Sequence, residues 1–144
     1  MKRKTVIDII SFLLILLFIY TAMSKILNFN QFKGQMYNQT LSHGLATLLI
    51  WTLPGIEILT GLLLLFEKTK PYGFYISILL MTVFTGYIIL VLLNYFGRVP
   101  CSCGGVIKAM GWKLHLLFNL FFLLLSTCAI FIINRERRLV GKEK

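Results

Sequence analysis

Two cysteines that lie one residue apart are the strongest chemical signal in this sequence. Cys101 and Cys103 fall within residues 100–105, between two long apolar runs. A Cys-x-Cys pair can close a small, strained disulfide ring, and strain makes such a bond easier to reduce. We therefore predict that Cys101 and Cys103 form a redox-active pair, and the spacing leaves open which sulfur is the nucleophile.

The residues around the pair suit a disulfide that exchanges. Arg98, Lys108 and Lys113 bring positive charge, which favours the thiolate. Gly104 and Gly105 would let a partner backbone approach closely. Two alternatives remain: a structural or incidental pair, and a Cu(I) or Zn(II) site formed with a histidine. The sequence offers no complete tetrahedral ligand set, so no metal is expected.

The composition predicts an integral membrane protein. The chain of 144 residues is 58% hydrophobic and 14% charged, whereas soluble domains are about a quarter charged. Four apolar runs are long enough to cross about 30 Å of hydrocarbon; they cover residues 5–27, 45–66, 72–96 and 112–133. We predict an all-α fold, a four-helix transmembrane bundle that forms a single domain over residues 1–144. The first run has no clear cleavage site, so it is expected to be an uncleaved span.

The basic residues predict the orientation of this bundle. Four spans place both termini on one side, and ten of the 15 Lys and Arg residues lie on that side, including the turn at residues 67–71. By the positive-inside rule both termini are cytoplasmic and the cysteine pair faces outward. We therefore expect a multi-pass protein of the bacterial cytoplasmic (inner) membrane, with the cysteines facing the oxidising periplasm or exterior. The net charge is +10, and the basic residues responsible for it flank the apolar spans. We therefore expect contact with membrane lipid and not with nucleic acid.

A carboxylic acid inside the second run predicts a buried ion pair. Glu57 follows Trp51 by six residues, which puts Glu57 about 9 Å deeper if Trp51 marks the outer interface. A carboxyl at that depth is costly unless it is neutral or paired. Lys25, near the outer end of the first run, is the expected partner. The pair would either fix the register of the helices or serve the functional site.

Polar residues at the start of the fourth run predict a site below the cysteines. Trp112, His115 and Asn119 share one helical face, and Tyr20 of the first run lies at a similar depth. A lone histidine at a membrane interface is more often a surface group, which is the alternative for His115. We expect five side chains to converge in the outer half of the bundle: Tyr20, Lys25, Glu57, His115 and Asn119.

Two further features carry structural expectations. Phe29, Phe32 and Met36 recur at helical spacing after the first run. They indicate either a short helix on the membrane surface, with these side chains in lipid, or an ordinary loop. Cys128 lies in the inner half of the fourth run, where we expect it to be a small, inert, buried residue.

The chain resembles the DoxX-like superfamily of four-helix membrane proteins, and most closely its MauE branch of redox-associated proteins. The resemblance covers nearly the whole chain. In the MauE branch the cysteine motif usually reads Cys-Gly-Cys-Phe-Gly, whereas this chain has Cys-Ser-Cys-Gly-Gly. The matching pieces are Ser24-Lys25, the segment around Phe32, Leu53-Pro54-Gly55-Ile56-Glu57 with Gly61, the cysteine motif, and Trp112.

The resemblance implies a function. MauE-type proteins support disulfide formation in a periplasmic enzyme beside a thioredoxin-like protein, and DoxX is associated with quinone-coupled oxidation. This chain would then be a thiol–disulfide redox protein, a possible quinone-linked oxidoreductase, with Cys101 and Cys103 exchanging disulfides with an extracytoplasmic thioredoxin-like partner. The alternative is a non-catalytic membrane assembly subunit for a partner enzyme or transporter. A quinone, menaquinone or ubiquinone, would be held by His115, Asn119, Lys25, Glu57, Tyr20 and Trp112.

Overall fold

The described residues of the chain form five helices. This is a computed structural model, and it describes residues 2–39, 41–95 and 111–142. Within those ranges there is no β-strand, and four helices are long and apolar enough to cross a membrane, which confirms the predicted fold class. The helices are α1 Lys2–Leu27, α2 Phe29–Tyr37, α3 His43–Leu65, α4 Lys70–Leu92 and α5 Trp112–Lys142.

The four long helices form a ring around one apolar core. Helix α1 packs on α3, α3 on α4 and α4 on α5, and contacts between α1 and α5 close the ring. The outer surface carries many large apolar side chains, among them Leu79, Leu124 and Phe131. Soluble proteins rarely expose so much contiguous apolar surface, so this surface faces lipid. The core includes Leu14, Phe18, Leu64, Phe74, Met81 and Phe122.

Helix α2 extends α1 and packs its apolar side against α3. Backbone hydrogen bonds continue through Asn28, which separates the two helices. Phe32 and Met36 are buried against Ile50 and Leu53 of α3. The helical alternative for this segment is therefore correct, but its expected lipid contact is wrong. The apolar side chains of α2 therefore pack on the first half of α3.

A close approach of backbones fixes the turn between α3 and α4. Pro71 lies in the first turn of α4, where a missing N–H costs little. A Cβ on Gly73 would come within 2.8 Å of Leu64 Cγ, so only glycine fits there. The four residues between the helices make α3 and α4 antiparallel neighbours. Pro54 is accommodated within α3, which runs without a break from His43 to Leu65.

Both described ends of the chain lie beside this turn. Lys4 Nζ is 3.8 Å from the carboxylate of Glu67, and Lys70 Nζ is 2.7 Å from that of Asp8. Helix α5 continues to Lys142, beyond the predicted end of the span at residue 133, and carries several basic residues past it. The two termini therefore share one end of the bundle, as four spans require. The side of the membrane on which this end lies stays a prediction.

Candidate functional site

A buried ion pair joins α1 to α3. Lys25 Nζ donates to both carboxylate oxygens of Glu57, at 2.7 and 3.0 Å. The two side chains are only 7% and 2% exposed. The expected partnership of Lys25 and Glu57 is thus confirmed. Each charge would be costly alone in this apolar surrounding, and each is stabilised by the other.

The ammonium of Lys25 has an acceptor for each of its three hydrogens. Besides the two Glu57 contacts, Nζ donates to the carbonyl of Thr21 at 3.4 Å. It also lies 6.0 Å from the ring centre of Phe32 on α2, within reach of a cation–π attraction. A lysine has three donors, so none is left for a ligand in this arrangement. The pair therefore links α1, α2 and α3 as a closed unit.

A second set of polar groups, carried by α4 and α5, lacks hydrogen-bond partners in the described part of the chain. Asn119 Nδ2, His115 Nδ1 and Thr85 Oγ1 are buried and form no hydrogen bond within the described part of the chain. Asn119 is only 5% exposed and Thr85 only 6%. Buried polar atoms are nearly always hydrogen-bonded. These three atoms are consequently available to a polar ligand.

A hydroxyl pair sets the register of α4 against α5. Ser77 Oγ and Ser126 Oγ are 3.1 Å apart in the core. Eight residues further along α4 is Thr85, and seven residues back along antiparallel α5 is Asn119, so these two lie at about the same level. His115 lies one turn nearer the end at which α5 begins.

The same register separates the two polar groups. The contact of Gly73 with Leu64 places Glu57 about level with residue 80 of α4, and hence with residue 123 of α5. At a rise of about 1.5 Å per residue, Asn119 lies about 6 Å and His115 about 12 Å from that level. The ion pair joins α1 to α3, whereas Asn119 is on α5. Lys25 and Glu57 therefore lie at a different depth from His115 and Asn119, and the convergence of these four residues on one site stays a prediction.

The remaining predicted site residues have separate outcomes. Tyr20 is 55% exposed on α1 and lies on the outer surface of the bundle. Trp112 is the first residue of α5. Cys101 and Cys103 lie outside the described residues, so their redox role stays a prediction. Cys128 is exposed and unpaired, so the expected burial of this residue is wrong.

Sequence reasoning missed two polar features. Thr85 gave no signal, because an isolated threonine in an apolar helix usually bonds to its own backbone. Asp8 and Lys70 form a second ion pair between helices, near the termini. Asp8 could have been found by the argument that found Glu57, since it is also an acid at the edge of an apolar run.

A comparison with known protein families identifies the family to which the chain is related. The family model described as methylamine utilisation protein MauE matches residues 3–133. The chain belongs to the MauE family. The match covers all four long helices in whole or large part, and it includes Cys101 and Cys103. Comparisons of this MauE protein with curated proteins and with solved structures found no significant match.

Proposed function

We propose that this MauE protein is a membrane thiol–disulfide redox protein. Its Cys101–Cys103 pair faces outward and exchanges disulfides with an extracytoplasmic thioredoxin-like protein. The observation that carries the proposal is the position of a Cys-x-Cys pair in a MauE chain. Along the chain the pair falls between the end of α4 and the start of α5, within the residues that the family model matches. The net positive charge of the terminal end supports this orientation.

The exchange is balanced in two steps. A thiolate of the reduced partner attacks one sulfur of the Cys101–Cys103 disulfide, and a mixed disulfide forms. The second thiol of the partner then resolves it, leaving an oxidised partner and a dithiol on this chain. Return of that dithiol to the disulfide requires an acceptor of two electrons and two protons, and a bound quinone would supply that chemistry.

The unpartnered groups of α4 and α5 support a quinone near the cysteines. Asn119 Nδ2 is a donor, and His115 Nδ1 can donate or accept according to its tautomer. A quinone carbonyl needs hydrogen-bond donors, and these lie within two turns of the start of α5. Menaquinone and ubiquinone both carry such carbonyls. We also propose that the MauE family belongs to the wider DoxX-like superfamily, whose association with quinone-coupled oxidation supports a quinone in this chain.

Thiol trapping in intact cells tests the proposal. A bulky maleimide counts free thiols on Cys101 and Cys103 in a Cys128→Ala background, before and after quinone synthesis is blocked. We expect a pair that is mostly disulfide and becomes reduced when quinone is depleted. The matched control is the Cys101→Ser, Cys103→Ser chain, which should insert normally and lose turnover of the partner.

Two other results would reject the redox role. Thiols that stay free under every condition would mean that the pair does not cycle. Full function of the double serine chain, with one stable partner co-purifying, would favour a non-catalytic assembly subunit. A pair that stays disulfide at every quinone level would contradict the quinone step.

A further inference from the structure

A cavity of about 630 Å³ opens at the bundle end that holds the termini. Its walls come from the first turns of α1, the turn between α3 and α4, and the last turns of α5. About twenty water molecules would occupy that volume at the density of the liquid. The cavity is far from the cysteine segment, and the proposed redox chemistry does not use it.

The floor of this cavity is a set of charges that neutralise one another. Lys70, whose side chain is 9% exposed, donates to Asp8 at 2.7 Å and to Glu67 at 3.3 Å. Lys4 is 3.8 Å from Glu67, and its side chain is 69% exposed. Two carboxylates thus face two ammonium groups, and Lys4 keeps most of its surface free.

The wall formed by α5 adds one charge of each sign, so three cations and three carboxylates line the cavity. Arg137 and Glu136 both line the cavity, and neither forms an ion pair with another residue in the described ranges. Arg137 is exposed and has five N–H donors in a fixed fork, which suits a phosphate. By sequence, this end of the chain holds ten Lys and Arg residues and four Asp and Glu residues. The surrounding field is therefore positive.

The cavity also has an apolar side. Ile7 of α1, Pro71 of α4 and Ile133 of α5 line it. Ile7 belongs to the apolar core, and Ile133 packs against that core. The cavity thus joins a charged rim, in a terminal end that is net positive, to an apolar wall at the edge of the membrane-spanning region, where lipid headgroups meet acyl chains.

We propose that this cavity binds an anionic phospholipid. The phosphodiester lies between Arg137 and Lys4, and the start of an acyl chain runs along Ile7 and Ile133. Clusters of Lys and Arg at the end of membrane spans attract anionic headgroups, and the terminal end around this cavity carries ten such residues. The bound lipid bridges α1 and α5, whose contact is the smallest of the four between neighbouring long helices in the ring. Its effect is to stabilise the terminal end of the bundle.

The test compares two arginines of the same helix. The full chain is purified in detergent, and its thermal stability and its lipid retention in native mass spectrometry are measured with phosphatidylglycerol or phosphatidylcholine added. We expect phosphatidylglycerol to bind and stabilise, and Arg137→Gln to weaken that binding about fivefold, the effect of one basic residue near an anionic surface. Arg138→Gln, which removes the same charge from an exposed residue outside the cavity lining, should leave the binding near that of the wild-type chain.

A second variant tests the sign of the headgroup charge. Glu136→Gln removes a carboxylate from the wall, so binding of phosphatidylglycerol should become tighter. Equal losses in the Arg137 and Arg138 variants would show a diffuse surface effect and overturn the cavity site. Equal stabilisation by inorganic phosphate would assign the site to a soluble anion. Preferential binding of phosphatidylethanolamine, weakened by Glu136→Gln, would overturn the anionic assignment.

Discussion

Removing one partner of the Lys25–Glu57 pair should destabilise the bundle more than removing both. The informative variants are Lys25→Met, Glu57→Gln, and the double variant Lys25→Met with Glu57→Leu. A single substitution leaves a buried charge without its partner. The double variant replaces both charges by apolar side chains of similar length, which suit the lipid-embedded interior.

The structure sets the size of the effect. With Nζ–O distances of 2.7 and 3.0 Å, Coulomb attraction at an effective dielectric of about 20 is about 6 kcal/mol. Transfer of both ions from water costs several kcal/mol each, so the net value of the pair is small. Breaking one buried partner typically costs ~3–5 kcal/mol, whereas apolar replacement of both is neutral or stabilising. A single change could thus remove a large share of a total stability of ~5–15 kcal/mol.

Unfolding in mixed detergent–SDS micelles measures these differences. Far-UV circular dichroism reports helix content. In a Trp112→Phe background the fluorescence of Trp51, whose ring centre is 5.4 Å from that of Phe29 with the rings tilted by 50°, reports the contact of α2 with α3. The matched control is Lys33→Met, which removes a lysine from the exposed face of α2. We expect that control to change the free energy of unfolding by less than about 0.5 kcal/mol.

Two results would refute this reasoning. If each single variant stays within about 1 kcal/mol of the wild type, the pair is not buried as the structure has it. If the double variant is as unstable as the worse single variant, the loss comes from packing and not from an unpaired charge.

The structure also makes predictions for two glycines of α4 and for a pair of serines that joins α4 to α5. Gly73→Ala should destabilise by about 1–3 kcal/mol because its Cβ would lie 2.8 Å from Leu64 Cγ. Gly86→Ala, with nothing within 4 Å of its Cβ, should be neutral or stabilise by up to about 1 kcal/mol, and SDS unfolding checks both. A double-mutant cycle of Ser77→Ala and Ser126→Ala, hydroxyls 3.1 Å apart, should give a coupling of about 0.6 kcal/mol; a coupling of zero would contradict the contact.

The sequence was sufficient for the long helices because the bilayer imposes their length. Each apolar run had to be a helix of about 20 residues, since backbone groups in lipid must be satisfied internally. The short segment at residues 28–44 was ambiguous for the opposite reason. Phe32 and Met36 have the same spacing whether they face lipid or α3, and only the neighbouring helix decides between the two. The same limit explains Cys128, because the apolar runs do not reveal which side of a helix faces lipid.

The ion pair was predictable from the sequence, whereas the position of Tyr20 on the outer surface was not. A carboxylate in an apolar run demands a cation, and Lys25 was the basic residue within reach, so depth alone was enough. Grouping Tyr20, His115 and Asn119 with them needed the rotation of each helix and the offset between helices. Exposure of Tyr20 and the register of α5 depend on packing contacts such as those of Ser77 and Gly73, which helical spacing within one segment does not encode.

The separation of the two polar groups limits where a quinone could act. Lys25 has already used its three hydrogens, and Glu57 accepts two of them. A headgroup bound there would have to break the pair before gaining a bond. Asn119 and His115 offer atoms without partners and lie nearer the start of α5. If a quinone binds, His115→Ala and Asn119→Ala should impair reoxidation of the cysteines without loss of stability. The apolar double variant of Lys25 and Glu57 should keep reoxidation, because that pair holds helices together and does not contact the quinone.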